Sequence, residues 1–397
     1  MNLSRQNYKS QESRIDYGII LTVMLLSMIG IVAVYATTHL IQGQNLRPTL
    51  MHALWYGIGA LVIIITMQFN SEQYWKLSKY FYVISLILLI LVFFFHDRQL
   101  AATTGAKSWF RIGGLTFQPS ELVKPAYTLF LSRVVTEHNS QTIKRTINTD
   151  FRLLGKIAAT MLPIVILIQL QKDLGTNLVI IAITAGIIVI SGISWKIIAP
   201  VIAFVVVVGG GLILLAANFP DFLIKYTFFD GYQMARIQNW LNPFGDTQGT
   251  GFQLAQSIKA VASGQFYGKG MGISEVNVPV RESDFIFTTI AENFGFLGSA
   301  VLLLIYFVLI YQMVQTCFET RSEFYAYIST GIISMILFHI FENVGMTIGL
   351  LPITGIPLPF ISQGGSALLS NMIGVGLILS MKYHHRNYRY AVTDDYS

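Results

Sequence analysis

Residues 174–219 read LGTNLVIIAITAGIIVISGISWKIIAPVIAFVVVVGGGLILLAANF, and in these forty-six positions the single charged side chain is Lys196. A membrane-crossing helix needs roughly 20 mostly apolar residues, so this stretch holds two, 174–192 and 195–219. Working outward, the same pattern recurs at 16–37, 50–69, 77–95, 119–138, 153–171, 284–316, 323–350 and 365–382. The expected fold is therefore an all-α polytopic membrane protein of about ten transmembrane helices. The stretches 284–316 and 323–350 exceed a bilayer's thickness, so part of each is expected to kink or to lie in the interface. The first stretch is not read as a cleaved signal peptide. It follows some fifteen polar residues, and its apolar run is longer than the usual signal core.

Composition agrees. Of 397 residues, 53% are hydrophobic and 12% charged, against about 25% charged in soluble domains. Mean hydropathy is +0.59. Disordered, collagen-like and coiled-coil chains are excluded with the soluble ones. One cysteine, Cys317, leaves no internal disulfide and no cysteine-based metal site. The net charge of +6 does not point to nucleic acid, because basic residues also collect on the cytoplasmic side of membrane proteins.

With ten spans both termini share a side. One set of connecting segments carries Arg5, Lys9, Arg14, Lys76, Lys79, Arg133, Lys144, Arg145, Arg152, Lys156, Lys196, Arg321, Lys382, Arg386 and Arg389. The opposite set carries Arg47, Arg98, Lys107, Arg111, Lys124 and Lys172, plus five more in one long loop. Long loops count little toward this bias, so the first set, with both termini, faces the cytoplasm. The domain reading is a cytoplasmic tail 1–15, a membrane domain 16–382 and a cytoplasmic tail 383–397. Three polar segments then face outward: 96–118, 221–283 and 351–364.

The long outer loop 221–283 is rich in glycine but also carries apolar residues at helical spacing. Met234, Ile237 and Leu241 share one face, and Leu254, Ile258 and Val261 another. Two short amphipathic helices on the membrane surface are expected. The run Gly268-Lys-Gly-Met-Gly272 lacks the Lys-Ser/Thr of a phosphate-binding loop and is read as a tight turn.

Ionisable groups inside spans are costly and draw functional hypotheses. Glu121 falls in the first turn after Pro119, where a carboxylate meets the positive helix end. Lys124 lies one turn deeper and can pair with Glu121 at i, i+3, which leaves a structural pair and a functional cation both open. In Lys107-Ser-Trp-Phe-Arg111 two cations flank an aromatic pair; Trp109 suits an interfacial anchor, and the cations suit an anionic, phosphate-type ligand. Asp284 can be a helix N-cap or a base at the boundary of lipid and water. His339, Glu342, Asn343 and Thr347 share one helix face and read chiefly as a helix–helix hydrogen-bonding seam. Glu292 is read the same way. Taken alone, these residues support an outward-facing site for an anionic, membrane-associated substrate, without separating an enzyme from a transporter.

Two stretches carry a resemblance. Pro352-Ile-Thr-Gly-Ile-Pro-Leu-Pro-Phe-Ile-Ser-Gln-Gly-Gly-Ser366, and Asp284-Phe-Ile-Phe followed by Ala291-Glu-Asn-Phe-Gly295, resemble the SEDS family (shape, elongation, division and sporulation proteins). Gly105 to Lys124, Asp173-Leu-Gly-Thr176 and Gly251-Phe-Gln-Leu-Ala-Gln-Ser257 match it in order. The Thr354-Gly-Ile-Pro357 wording and the Asn343-Val-Gly-Met346 lead-in look more like the elongation member, RodA, than the division member, FtsW.

The resemblance implies a peptidoglycan glycosyltransferase that polymerises lipid II at the outer membrane face, in complex with a class B penicillin-binding protein. Other elongation-complex membrane proteins are further partner candidates. The family's essential aspartate falls on Asp284, which the resemblance makes the catalytic residue. Lys107, Arg111 and Lys124, with Glu121 orienting Lys124, are then the candidates for the substrate's diphosphate, and Trp109 lies among them. Ser362, Gly364, Gly365 and Ser366 are expected to shape the outer cavity, since glycines let backbone approach a ligand. Lys259, Arg281 and Asn343 are weaker candidates. No cofactor is required; a divalent cation on the diphosphate is compatible, but no ligand cluster demands one. The alternatives are a lipid II flippase, or a non-catalytic scaffold for the transpeptidase. The chain departs from the family pattern at Gln363 (usually tyrosine), Lys172 (commonly proline), Glu282-Ser283 (typically His-Thr) and Asn293 (commonly glutamate).

Overall fold

The computed structural model describes residues 15–394, apart from 44, 114, 143, 227–230, 248, 250 and 321. The tail residues 1–14, with Arg5, Lys9 and Arg14, and Arg321 from the topology argument, lie outside the described residues. Fourteen α-helices and one short hairpin make up the described chain. The helices are α1 (Tyr17–Tyr35), α2 (Arg47–Met67), α3 (Ser71–Phe95), α4 (Arg98–Thr104), α5 (Pro119–Gln141), α6 (Ile147–Leu170) and α7 (Leu174–Ile190). They continue with α8 (Trp195–Asn218), α9 (Pro220–Tyr226), α10 (Gly231–Leu241), α11 (Phe252–Ser263), α12 (Ile286–Thr320), α13 (Glu323–Thr347) and α14 (Gly365–Asp394). A π-helical turn, Ala36–Ile41, extends α1.

Each of the ten apolar stretches contains one of these helices, and eight helices are long and apolar enough to cross a membrane. The two that fall short are α7, at 17 residues, and α5, which carries Glu121, Lys124 and a run of hydroxyl side chains. Local chemistry sets several starts. Asp16 accepts from the amides of Gly18 and Ile19 at the head of α1, Asn70 and Gln73 form a capping box on α3, and Pro119 opens α5. These satisfy donors that a helix leaves unpaired at its N-terminus.

The main core cluster draws buried apolar side chains from α1 to α3, α5 to α8 and α12 to α14, and two smaller clusters lie where α8, α9 and α10 meet and beside α11. Compared with α13 and α14, α8 has little of its surface buried; it packs on α9 and α10, and Ile197 and Ile198 at its start reach the main core. The overlong stretch at 284–316 breaks at Gly295, whose φ of 65° and ψ of −159° are not helical. The backbone groups freed there are taken up by the glycine turn. The amides of Lys269 and Gly270 donate to the carbonyls of Glu292 and Asn293 at 3.0 and 3.1 Å, and Gly268, Gly270 and Gly272 all have positive φ. The run is the tight turn expected of it, and it closes a helix break.

Two expectations need correction. Both short helices of the outer loop exist, but α11 does not rest on the membrane surface. It packs on α12 and α13, burying Leu254, Ala255, Ser257 and Ala260, because small residues let it sit close to the bundle. The segment 96–118 contains a two-stranded antiparallel hairpin, β1 (Phe110–Ile112) and β2 (Leu115–Phe117), with Phe110 opposite Phe117; β-propensity and Gly113 at φ 58° favour it. The helix α14 runs on to Asp394, so 383–394 continues it.

Candidate active site

The segment 351–364 folds back between the helix ends and is fastened from several sides. Tyr56 and Tyr306 donate their hydroxyls to the carbonyls of Phe360 and Pro359. Ser362 Oγ donates to the Ser283 carbonyl at 2.6 Å and accepts the Leu358 amide at 2.8 Å. The Gln363 amide donates to the Glu282 carbonyl at 3.0 Å. Asn343 on α13 uses one amide nitrogen twice, donating to the carbonyls of Asp284 at 2.7 Å and Ile356 at 2.8 Å. These bonds lock the residues just before α12 against 351–364.

Asp284 sits in that junction, two residues ahead of α12. Its carboxylate lies beside Gly355, where a Cβ would come within 3.2 Å of Oδ2 and where φ is +78°. Burial pushes the Asp284 carboxyl up to about 6; a hydrogen bond from Ser283 and the charge of Arg236 pull the other way, and Glu282 adds to the rise. As the base must be ionised to accept a proton, activity is expected to fall as pH drops through about 6 and to be retained above it. Initial rates against pH, on both sides of that value, check this. Gly355→Ala is expected to cost about 1–2 kcal/mol in backbone strain and to displace the carboxylate, read as a lower thermal midpoint with a lower rate.

A second group lies one turn along α13. Lys124 Nζ is 2.7 Å from Glu121 Oε2 and 3.1 Å from His339 Nε2, and Lys124, Glu121 and His339 are all buried. His339 and Asn343, at i and i+4, share a face, so the polar seam joins this pair to the Asp284 junction. Lys124 is thus buried in the bundle, between Glu121 and His339. A third group surrounds Asp173, which accepts from Gln118 Nε2 at 2.8 Å and Thr176 Oγ1 at 2.9 Å, while Ser366 Oγ accepts the Gln118 amide at 3.0 Å. Gly365 packs on the Trp55 ring, with no room for a Cβ, and the Gly364 carbonyl accepts from Leu368.

In the segment between α4 and α5, Lys107 and Arg111 are exposed and Trp109 is half-buried. Arg111 pairs with Asp97 and donates to Gln99 Oε1 at 3.1 Å; Lys107 Nζ lies 6.0 Å from the Phe93 ring centroid.

The two weaker cationic candidates do not join the junction. Lys259 is on the exposed side of α11. Arg281 is fully buried and bound to Glu292, Thr289 and Ser274; its partners come from the turn and α12, which sequence spacing does not reveal. Sequence reasoning also passed over Arg236 and Asp97. Among the described residues no cluster of three or more His, Cys, Asp or Glu side chains is arranged to hold a metal ion.

A family model described as cell cycle protein, for FtsW, RodA and SpoVE, matches residues 17–387. The chain belongs to this family, the SEDS proteins. This SEDS protein is similar to stage V sporulation protein E of Bacillus subtilis, 30% identical over 383 residues, covering 94% of this chain and 98% of that one. It is similar to peptidoglycan glycosyltransferase MrdB of Escherichia coli K12, 30% identical with 83% and 84% covered. The probable peptidoglycan glycosyltransferase FtsW of Lactococcus lactis is also 30% identical, with 96% and 94% covered. Equal identity to differently named members does not separate a RodA-like from an FtsW-like protein. Among solved structures, a chain of a peptidoglycan synthase complex that coordinates polymerization and crosslinking matches with a TM-score of 0.74, 25% identity, and 94% and 98% coverage. RodA of Thermus thermophilus shares the fold at a TM-score of 0.65 and 23% identity, with 94% and 97% covered. The SEDS protein is a multi-pass membrane protein of this fold.

Proposed function

We propose that this protein is a peptidoglycan glycosyltransferase that polymerises lipid II into glycan strands at the outer face of the cytoplasmic membrane. Both termini are cytoplasmic, ten helices span the bilayer, and a class B penicillin-binding protein is the partner. The wording of the 343–346 and 354–357 motifs favours a role in elongation and shape maintenance. The observation that carries the reading is the Asp284 carboxylate held at the junction of α13, 351–364 and the start of α12, in a chain whose relatives include named peptidoglycan glycosyltransferases.

The chemistry follows from those groups. The acceptor's 4-hydroxyl gives its proton to Asp284 as its oxygen attacks the donor's anomeric carbon. The new carbon–oxygen bond forms with inversion, the bond to the diphosphate breaks, and the diphosphate leaves as an anion. No second carboxylate acid is needed, unlike glycoside hydrolysis. Preorganised positive charge takes up the developing charge instead. Lys107 and Arg111 at the rim meet the anionic headgroup, Trp109 anchors the loop, and the Glu121–Lys124 pair holds charge deeper in the bundle. Ser362, Gly364, Gly365 and Ser366 shape the wall opposite. No step requires a resident metal.

The test is polymerisation of labelled lipid II by the purified protein with a partner whose transpeptidase is inactivated and which carries no glycosyltransferase of its own. A ladder of strands supports the reading. No strands from an intact complex would return the flippase and the scaffold to the front.

A further inference from the structure

Arg236 lies on α10, forty-eight positions before Asp284 in the chain, yet the fold brings it to the run that backs Asp284. Its Nη1 donates to the Ile353 carbonyl at 2.9 Å. That carbonyl belongs to the same short run as Gly355, which backs the Asp284 carboxylate, and Ile356, whose carbonyl accepts from Asn343. Three pieces of chain, α10, 353–356 and α13, therefore meet at the segment that carries Asp284.

Among the described residues the groups around it are few. Arg236 comes from α10, Glu282 and Ser283 from its own segment, Asn343 from α13 engages only its backbone carbonyl, and Glu342 of α13 bonds Thr354 in the same run. Arg236 is the one cation among them. Guanidinium suits the place, because it stays charged and its fork can hold a carbonyl with one N–H while turning its charge elsewhere. A nearby opposite charge favours the ionised form of a carboxyl.

We propose that Arg236 is the positioning residue for Asp284. It latches α10 onto 353–356 and supplies the positive charge that keeps the carboxylate ionised for proton abstraction. The base is complete only when α10 of the outer loop is docked. This inference rests on the glycosyltransferase reading.

The test uses the full-length protein with its penicillin-binding partner and labelled lipid II, comparing wild type, R236Q and R236K across the acid limb of the pH–rate profile. R236Q is expected to move the acid midpoint up by roughly one pH unit, so its deficit is about tenfold below the midpoint and shrinks in alkaline solution. R236K, which keeps the charge, is expected to hold the wild-type midpoint. An unmoved midpoint in R236Q overturns the proposal whatever the rate, as does an equal displacement in R236K. Should R236Q not purify folded, R236K decides: a held midpoint supports the proposal and a displaced one overturns it. A wild type that makes no strands sinks the glycosyltransferase reading and this inference with it. An active wild type beside an unshifted R236Q sinks the inference alone.

Discussion

Asp284→Asn is expected to reduce strand synthesis by at least about 100-fold, the lower bound for losing a positioned general base, while leaving the protein folded and partner-bound. Asparagine matches aspartate in size and can still accept from Ser283, but it cannot take a proton at neutral pH. The backbone carbonyl that Asn343 holds is unchanged by the substitution. Stability should not suffer either. A carboxyl whose value is raised in the fold to about 6 is one whose ionised form the fold disfavours, so above that pH a neutral replacement removes a cost. The measurement is the lipid II polymerisation assay, with elution profile and thermal midpoint recorded on the same preparations. Strands from the mutant at the wild-type rate would move the base elsewhere, with Glu121 next in line.

How much of this was readable in advance depends on the range of the interaction. The apolar runs declare themselves because a bilayer demands long uninterrupted stretches, and each of them holds a helix. The seam of His339, Asn343 and Thr347 was legible because helical spacing puts i and i+4 on one face, and all three are buried as that face requires. The glycine turn was legible as a turn, but not its task, since the break at Gly295 that it closes is twenty-odd residues away. Long-range electrostatics were the least visible. Arg236 reads as one cation on an amphipathic helix, and nothing local says that α10 folds over 353–356. Arg281, by contrast, attracted attention for the wrong reason: three residues from Asp284, it looks like a substrate cation until the turn is folded around it.

That difference makes Arg281 a second decisive substitution. Its guanidinium is buried against Glu292 Oε2, Thr289 Oγ1 and Ser274 Oγ, and Glu292 in turn accepts from the Glu275 amide at 3.1 Å and lies 3.3 Å from Lys269 Nζ. Removing one member of a buried pair strands the other, at a cost of about 3–5 kcal/mol. Arg281→Met is therefore expected to lower the thermal midpoint sharply and to lose activity through lost folded protein, with the surviving fraction showing an ordinary KM for lipid II. Because Glu292 keeps Lys269, Ser274 and the Glu275 amide, the loss should sit near the lower end of that range. Pairing Arg281→Met with Glu292→Leu should recover part of it, since replacing both charges avoids the stranded carboxylate. A folded Arg281→Met with a wild-type thermal midpoint and a raised KM would instead make Arg281 a substrate contact. The Asp284 segment would then have to open outward during catalysis, because nothing in the closed arrangement lets a ligand reach that side chain.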